Sequence, residues 1–250
     1  VTAMLGMYDM PALRASNDRF WDLIRTHLGF GPASLERSRD FWDIWRDPDL
    51  IFAQTCGMPY RTQLHDAVQL IGTPDYGLPG CPEGYYRSVF VARADDPRSL
   101  AELTDGVFAY NEPLSQSGWS APITHLSRMG LSPKRLQQTG AHANSAQSVA
   151  EDMSDFAALD ALTWELLKAH TDLGGALRDV AETEPTPGLP YITSKSQDAP
   201  RIARAVQAAI DDLADEDRGN LRIRGLIKIP ASAYLAIPTA ASPEAQLRSS

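Results

Sequence analysis

What is scarce in this 250-residue chain narrows its function before any motif is read. There are two cysteines, Cys56 and Cys81, and five scattered histidines, which is too little for a metal cluster. No metal or other cofactor is expected. The cysteine pair fits one disulfide in an oxidising compartment, and equally two buried thiols. No run approaches the roughly 18–20 apolar residues that span a bilayer. Basic charge is also short: 23 Lys and Arg face 32 Asp and Glu, a net charge of −9. Neither nucleic acid nor an anionic membrane gains counterion release from such a surface. A small anionic ligand remains open, because backbone N–H groups alone can hold one. The phosphate loop G-x-x-x-x-G-K-[ST], the dinucleotide loop G-x-G-x-x-G, and the H-E-x-x-H and G-x-S-x-G signatures are all missing.

The composition itself is that of a globular chain, with 43% apolar and 22% charged residues and no low-complexity tract. Residue 1 is valine and strand-like sequence begins at once, from Ala3 to Tyr8. The expectation is a leader already removed, hence a periplasmic protein, or a leaderless cytoplasmic one.

Short apolar runs alternate with segments of helical period. AMLGMY reads as a strand and Pro11 to Leu28 as a helix with Leu13, Phe20, Ile24 and Leu28 on one face. LIFAQTC, VQLIGT, the long YYRSVFVARAD, GVFAYNE, RLQQTGA, FAALD and YITS read as further strands, and the tail as irregular or weakly helical. Alternation of this kind implies an α/β protein with mostly parallel sheets covered on both faces. Composition shifts at Asp75 to Gly84 and at Glu184 to Pro190, each rich in Pro and Gly and leading into a strand. These points divide the chain into two Rossmann-like lobes joined by two crossover strands. Residues 1–85 with 192–250 form lobe one and 86–191 lobe two. Ligands of such sheets gather at the C-terminal ends of the strands.

Three strand-to-helix junctions of lobe two carry suitable chemistry. In SQSG, Ser115 is placed to cap a helix, and the amides of Gln116, Ser117 and Gly118 would point outward at the positive end of its dipole. Capping alone explains the motif equally well. Pro122 should bend that helix about one turn in. In TGAHANS, His142 opens another helix beside Thr139 and Asn144, as a donor to an anion or as a surface histidine. In FAALDALTW, Asp160 ends a strand. It is either a helix cap or an acceptor for a proton or ammonium on the ligand. Ser117, His142 and Asp160 also permit a hydrolase triad, although the nucleophile lacks an elbow sequence. From lobe one, Tyr8, Thr55 and Cys56 come after strands and would close over a ligand, and Tyr86 lies near the first crossing.

The stretch YYRSVFVARADDPRSLAELTDGVFAYNEPLSQSG resembles the start of the second lobe in phosphate/phosphite/phosphonate-type ABC-transporter substrate-binding proteins. TGAHANSAQSVAEDMSDFAALDALTWELL is similar to a later segment of that family, with Ala141 in place of a serine and Glu151-Asp152 in place of a glycine turn. PGLPYITS fits the return crossing. The resemblance implies a periplasmic-binding-protein type 2 fold, a monomer serving an ABC permease, and hinge closure on a small oxyanion. It also implies that Ser115, Gln116, Ser117 and His142 hold the oxyanion, with Asp160 on its opposite side. The alternatives are an enzyme using His142 and Asp160 as acid and base, and a sensory binding protein with no permease.

Overall fold

The computed structural model describes residues 1–249. The chain forms two compact units, Val1–Tyr85 with Pro187–Ala236, and Tyr86–Thr186 with the tail from Ile237. In chain order the strands are β1 (Thr2–Met4), β2 (Leu50–Gln54), β3 (Val68–Asp75), β4 (Tyr85–Tyr86), β5 (Ser88–Arg93) and β6 (Val107–Tyr110). They continue with β7 (Arg135–Gln138), β8 (Phe156–Asp160), β9 (Leu177–Glu182), β10 (Thr186–Pro187), β11 (Tyr191–Ser194) and β12 (Gly225–Ile227).

The first unit is a five-stranded sheet in the order β1-β2-β11-β3-β12. Successive side chains leave a strand on opposite faces. Accordingly Tyr191 packs with Phe20, Trp21 and Val206, while Ile192 packs with Trp45, Tyr60 and Tyr234 on the other face. The helix Ala199–Asp211 covers the first face through Ile202, Ala205, Val206, Ala209 and Ile210, a spacing of one helical stripe. Asp198 caps it, accepting from the Arg201 amide at 3.0 Å. The face expected of the first helix is also buried: Leu13, Phe20, Ile24 and Leu28 are each at most 1% exposed.

The second unit is a five-stranded sheet in the order β7-β6-β8-β5-β9. β6 runs parallel to both β7 and β8, so these three strands end on one edge. Phe90, Phe108, Trp119 and Phe156 form its core on one face. β4 and β10 pair as a two-stranded ribbon where the chain enters the unit and first leaves it.

Three points differ from the sequence reading. The sheets are mixed: β5 is antiparallel to β8 and β9, and β11 to β2 and β3. Both strands are entered directly from the ribbon, with no crossover helix to bring the chain back in the same direction. The single strand expected over YYRSVFVARAD is broken at Arg87 into β4 and β5. The tail from Ile237 belongs to the second unit rather than the first, and residues 187–191 to the first rather than the second. The tail is held there by side chains of the second unit, with the Trp119 indole donating to Ala241 O at 2.9 Å. Tyr191 is held in the first unit by pairing with Gln54 and Gly72. The two cysteines are not joined in a disulfide; Cys56 is buried and Cys81 half-buried. Among the described residues no helix is long and apolar enough to cross a membrane.

Candidate functional site

The parallel strands β7, β6 and β8 each run into a helix start at the same edge of the second unit's sheet. Those starts carry His142, Ser115 to Ser117, and Asp160. A parallel arrangement therefore delivers three polar junctions to one place, with the positive ends of helix dipoles behind them.

At the β6 junction Ser115 is in extended conformation and its Oγ accepts from the Gly118 amide at 3.0 Å. The cap consumes that amide, so Gly118 does not supply the outward donor expected of it. Beyond the cap the chain makes a wide turn, Gln116–Ser120, closed by Ser120 N donating to Ser115 O at 3.0 Å, and the regular helix begins only at Ala121. Pro122 supplies the reason, since it has no N–H to give the carbonyl four residues back and an α-helical register cannot run through it. Ser117, by its first-turn position, keeps an amide with no acceptor inside the helix and adds a hydroxyl. Ser115, Gln116 and Ser117 are buried, at 6%, 2% and 3% exposure.

At the β7 junction His142 opens the helix His142–Ala150, and its Nε2 lies 2.9 Å from Ser117 Oγ. Burial pushes the ring's pKa down to about 4, against the Ala158 carbonyl, which raises it. His142 is therefore neutral at neutral pH, a hydrogen-bonding group rather than a cation. At the β8 junction Asp160 is 2% exposed and caps the next helix, accepting from the Thr163 amide at 3.0 Å. Its partner across the sheet is Ser88, whose hydroxyl donates to Ser117 O at 2.8 Å. One serine thus links the Asp160 junction to the Ser117 turn.

Two residues here were not singled out from sequence. Ser88 is one, although a serine at a fully buried strand position was the signal. Asn111 is the other. Its carbonyl accepts from Gly140 N at 2.9 Å, joining the β6 and β7 junctions, and its Oδ1 is buried with no hydrogen-bond partner. That carboxamide explains Gly118, because a Cβ there would stand 1.8 Å from Asn111 Oδ1 and 3.2 Å from His142 Cε1.

The remaining candidates are divided between the units. Tyr86 is 3% exposed on β4 in the second unit. Tyr8, Thr55 and Cys56 are in the first unit. Tyr8 is half-buried and meets the Tyr76 ring edge-on at 5.4 Å. Thr55 is fully buried after β2, its amide donating to Pro190 O and its hydroxyl without a partner, and Cys56 is 7% exposed beside it.

Chemically the junctions offer neutral donors and one carboxylate, with no lysine or arginine among them. Among the described residues no group of three His, Cys, Asp or Glu is placed to hold a metal. Ser117 and His142 do form the first link of a triad, but the Asp160 carboxylate caps Thr163.

A family model for the phosphonate periplasmic substrate-binding proteins of ABC transporters matches residues 49–231. The chain belongs to this family. Its role is accordingly that of a solute-binding protein, with a small-molecule ligand and an ABC permease as partners. No curated protein matches it. Among solved structures it is similar to PhnD1 from Prochlorococcus marinus in complex with methylphosphonate. The two are 15% identical over 93% of this chain and 94% of that one, with a TM-score of 0.71. It is similar also to a binding protein component of an ABC phosphonate transporter from Pseudomonas aeruginosa, at 16% identity over 90% and 81% of the chains and a TM-score of 0.68. XAC2383 from Xanthomonas citri, solved with ATP, is 17% identical over 99% and 94%, with a TM-score of 0.69. At such identities the likeness carries the fold, that of type 2 periplasmic binding proteins.

Proposed function

We propose that the ligand is a small oxyanion, a phosphonate first and phosphite or phosphate next, held at the β6, β7 and β8 junctions of the second unit. Ser115 to Ser117 form the cradle, His142 supports it and Asp160 accepts a proton carried by the ligand. The observation that carries this reading is the convergence of the Ser117 hydroxyl and the neutral His142 ring, 2.9 Å apart, at two helix starts on one sheet edge. With no cation in the set, charge is met by dipoles and hydrogen bonds, which distinguish anions by shape and protonation state. The protein works in the periplasm in this reading, and binds without turnover. A histidine held near pKa 4 is a weak general base at neutral pH.

A thermal-shift screen against methylphosphonate, aminoethylphosphonate, phosphite, phosphate and sulfate tests the reading. A ligand at 100 times its dissociation constant stabilises the fold by about 2.7 kcal/mol. Stabilisation by phosphorus oxyanions above sulfate supports the proposal. A flat response to all of them contradicts it.

A further inference from the structure

The cradle turn is held from outside by a segment whose role the sequence did not show. Residues 238–241 of the tail lie along Gln116–Ser120 and are bonded to its last two residues. Ser120 Oγ donates to Pro238 O at 3.2 Å and accepts from Ala240 N at 3.1 Å. The Trp119 indole N–H donates to Ala241 O at 2.9 Å, and its ring packs on Tyr110 with centroids 4.8 Å apart. Ala240 packs against the same core cluster. Ser120 and Trp119 are both fully buried.

These bonds fall on a turn that needs them. A wide turn packs its backbone less well than an α-helix and is found in short pieces, often at functional sites. Its closing bond runs from Ser120 N to Ser115 O, so the residue that closes the turn is the one the tail grips by its side chain. If Ser120 is released, the residue that closes the turn loses its side-chain anchor, and the Ser117 hydroxyl loses its fixed place on His142. The opposite side of the turn is already pinned, through Ser88 Oγ on Ser117 O.

We propose that Ser120 is a positioning residue, which with Trp119 clamps residues 238–241 onto the Gln116–Ser120 turn and so holds the Ser117 hydroxyl on His142 Nε2. The consequence for affinity rests on the reading of this turn as the oxyanion cradle. The geometric claim does not. The tail is thus part of the binding unit rather than an appendage.

The test compares the whole protein with Ser120→Ala, Trp119→Phe and Gln246→Ala. The last removes a tail bond to Ser132, at 2.8 Å, that lies away from the turn. Two readouts are taken, the ¹⁵N resonances of the His142 ring without ligand and the calorimetric affinity for methylphosphonate. Ser120→Ala and Trp119→Phe are expected to shift the His142 Nε2 resonance and to weaken methylphosphonate about tenfold, with Gln246→Ala like the wild type. An unmoved His142 resonance and affinity within twofold of wild type in both variants, whatever their melting temperatures, overturn the proposal. A His142 resonance that moves equally in Gln246→Ala also overturns it, because general loosening then explains the effect. If Ser120→Ala does not fold, Trp119→Phe decides. If the wild type ignores methylphosphonate, the affinity arm uses the oxyanion that stabilises it most in the thermal-shift screen, and if none does the oxyanion reading fails while the ligand-free His142 resonance still decides the clamp.

Discussion

His142 is the residue on which the electrostatics of the site turn. In the fold its ring takes a proton only near pH 4, whereas an unfolded histidine does so near 6.5. Between those values the unfolded chain holds the extra proton, so stability falls as pH drops from about 6.5 to about 4 and is unaffected by this group above that window. An NMR titration should find the His142 midpoint near 4, and a midpoint near 6.5 would mean that burial does not govern the ring. Gly118 makes the second prediction at this scale. Gly118→Ala places a methyl 1.8 Å from Asn111 Oδ1 and 3.2 Å from His142, so the turn or the carboxamide must move. We expect a destabilisation of about 1–3 kcal/mol, as for other overpacked sites, measured by chemical denaturation, together with at least tenfold weaker ligand binding.

At the scale of elements, much of the motif that resembles the family is architecture rather than binding surface. In DDPRSLAEL, Ser99 and Glu102 form a reciprocal capping box, and Arg98 holds both Asp96 and Asp155. The Arg98 contact draws the Asp96 carboxyl down to about 2. Asp155 also accepts from the Val107 amide at 2.7 Å, fixing the start of β6, and it fills the space over Gly106 where a Cβ would stand 2.4 Å away. Asp155→Ala should therefore cost about 1–3 kcal/mol of stability by denaturant unfolding while leaving affinity for the ligand within twofold. Loss of affinity equal to that of a cradle variant would show that the motif touches the ligand after all.

These elements show what the sequence exposes. Caps, amphipathic stripes and strand-to-helix junctions are local, and Ser115, His142 and Asp160 were legible because each lies within a few residues of the helix it starts. The wide turn was half legible, since Pro122 announces a disturbed helix but not its register. Ser88 and Asn111 act across the sheet and across a junction, where no spacing rule reaches. The antiparallel entry of β5 and β11 depends on partners far along the chain. The same is true of the tail, whose bonds to Trp119 and Ser120 span about 120 residues of sequence.

For the molecule as a whole, the chain passes between its two units at Tyr85/Tyr86, at Thr186/Pro187 and again at Ala236/Ile237, one passage more than the Pro and Gly segments indicated. The second unit carries every residue of the proposed cradle, yet it is completed only when the last passage returns the tail to Trp119. Cutting the chain after Ala236 should therefore lower the melting temperature and abolish the stabilisation by methylphosphonate. A truncated protein with wild-type ligand response would separate the tail from the site.

Whether Ser117 holds an oxyanion is decided by isothermal titration calorimetry of the wild type and Ser117→Ala with methylphosphonate. Saturable one-to-one binding by the wild type is expected, weakened in Ser117→Ala by about 2 kcal/mol, roughly thirtyfold, the loss for a hydrogen bond to a charged group. Equal affinities in the two proteins would contradict it.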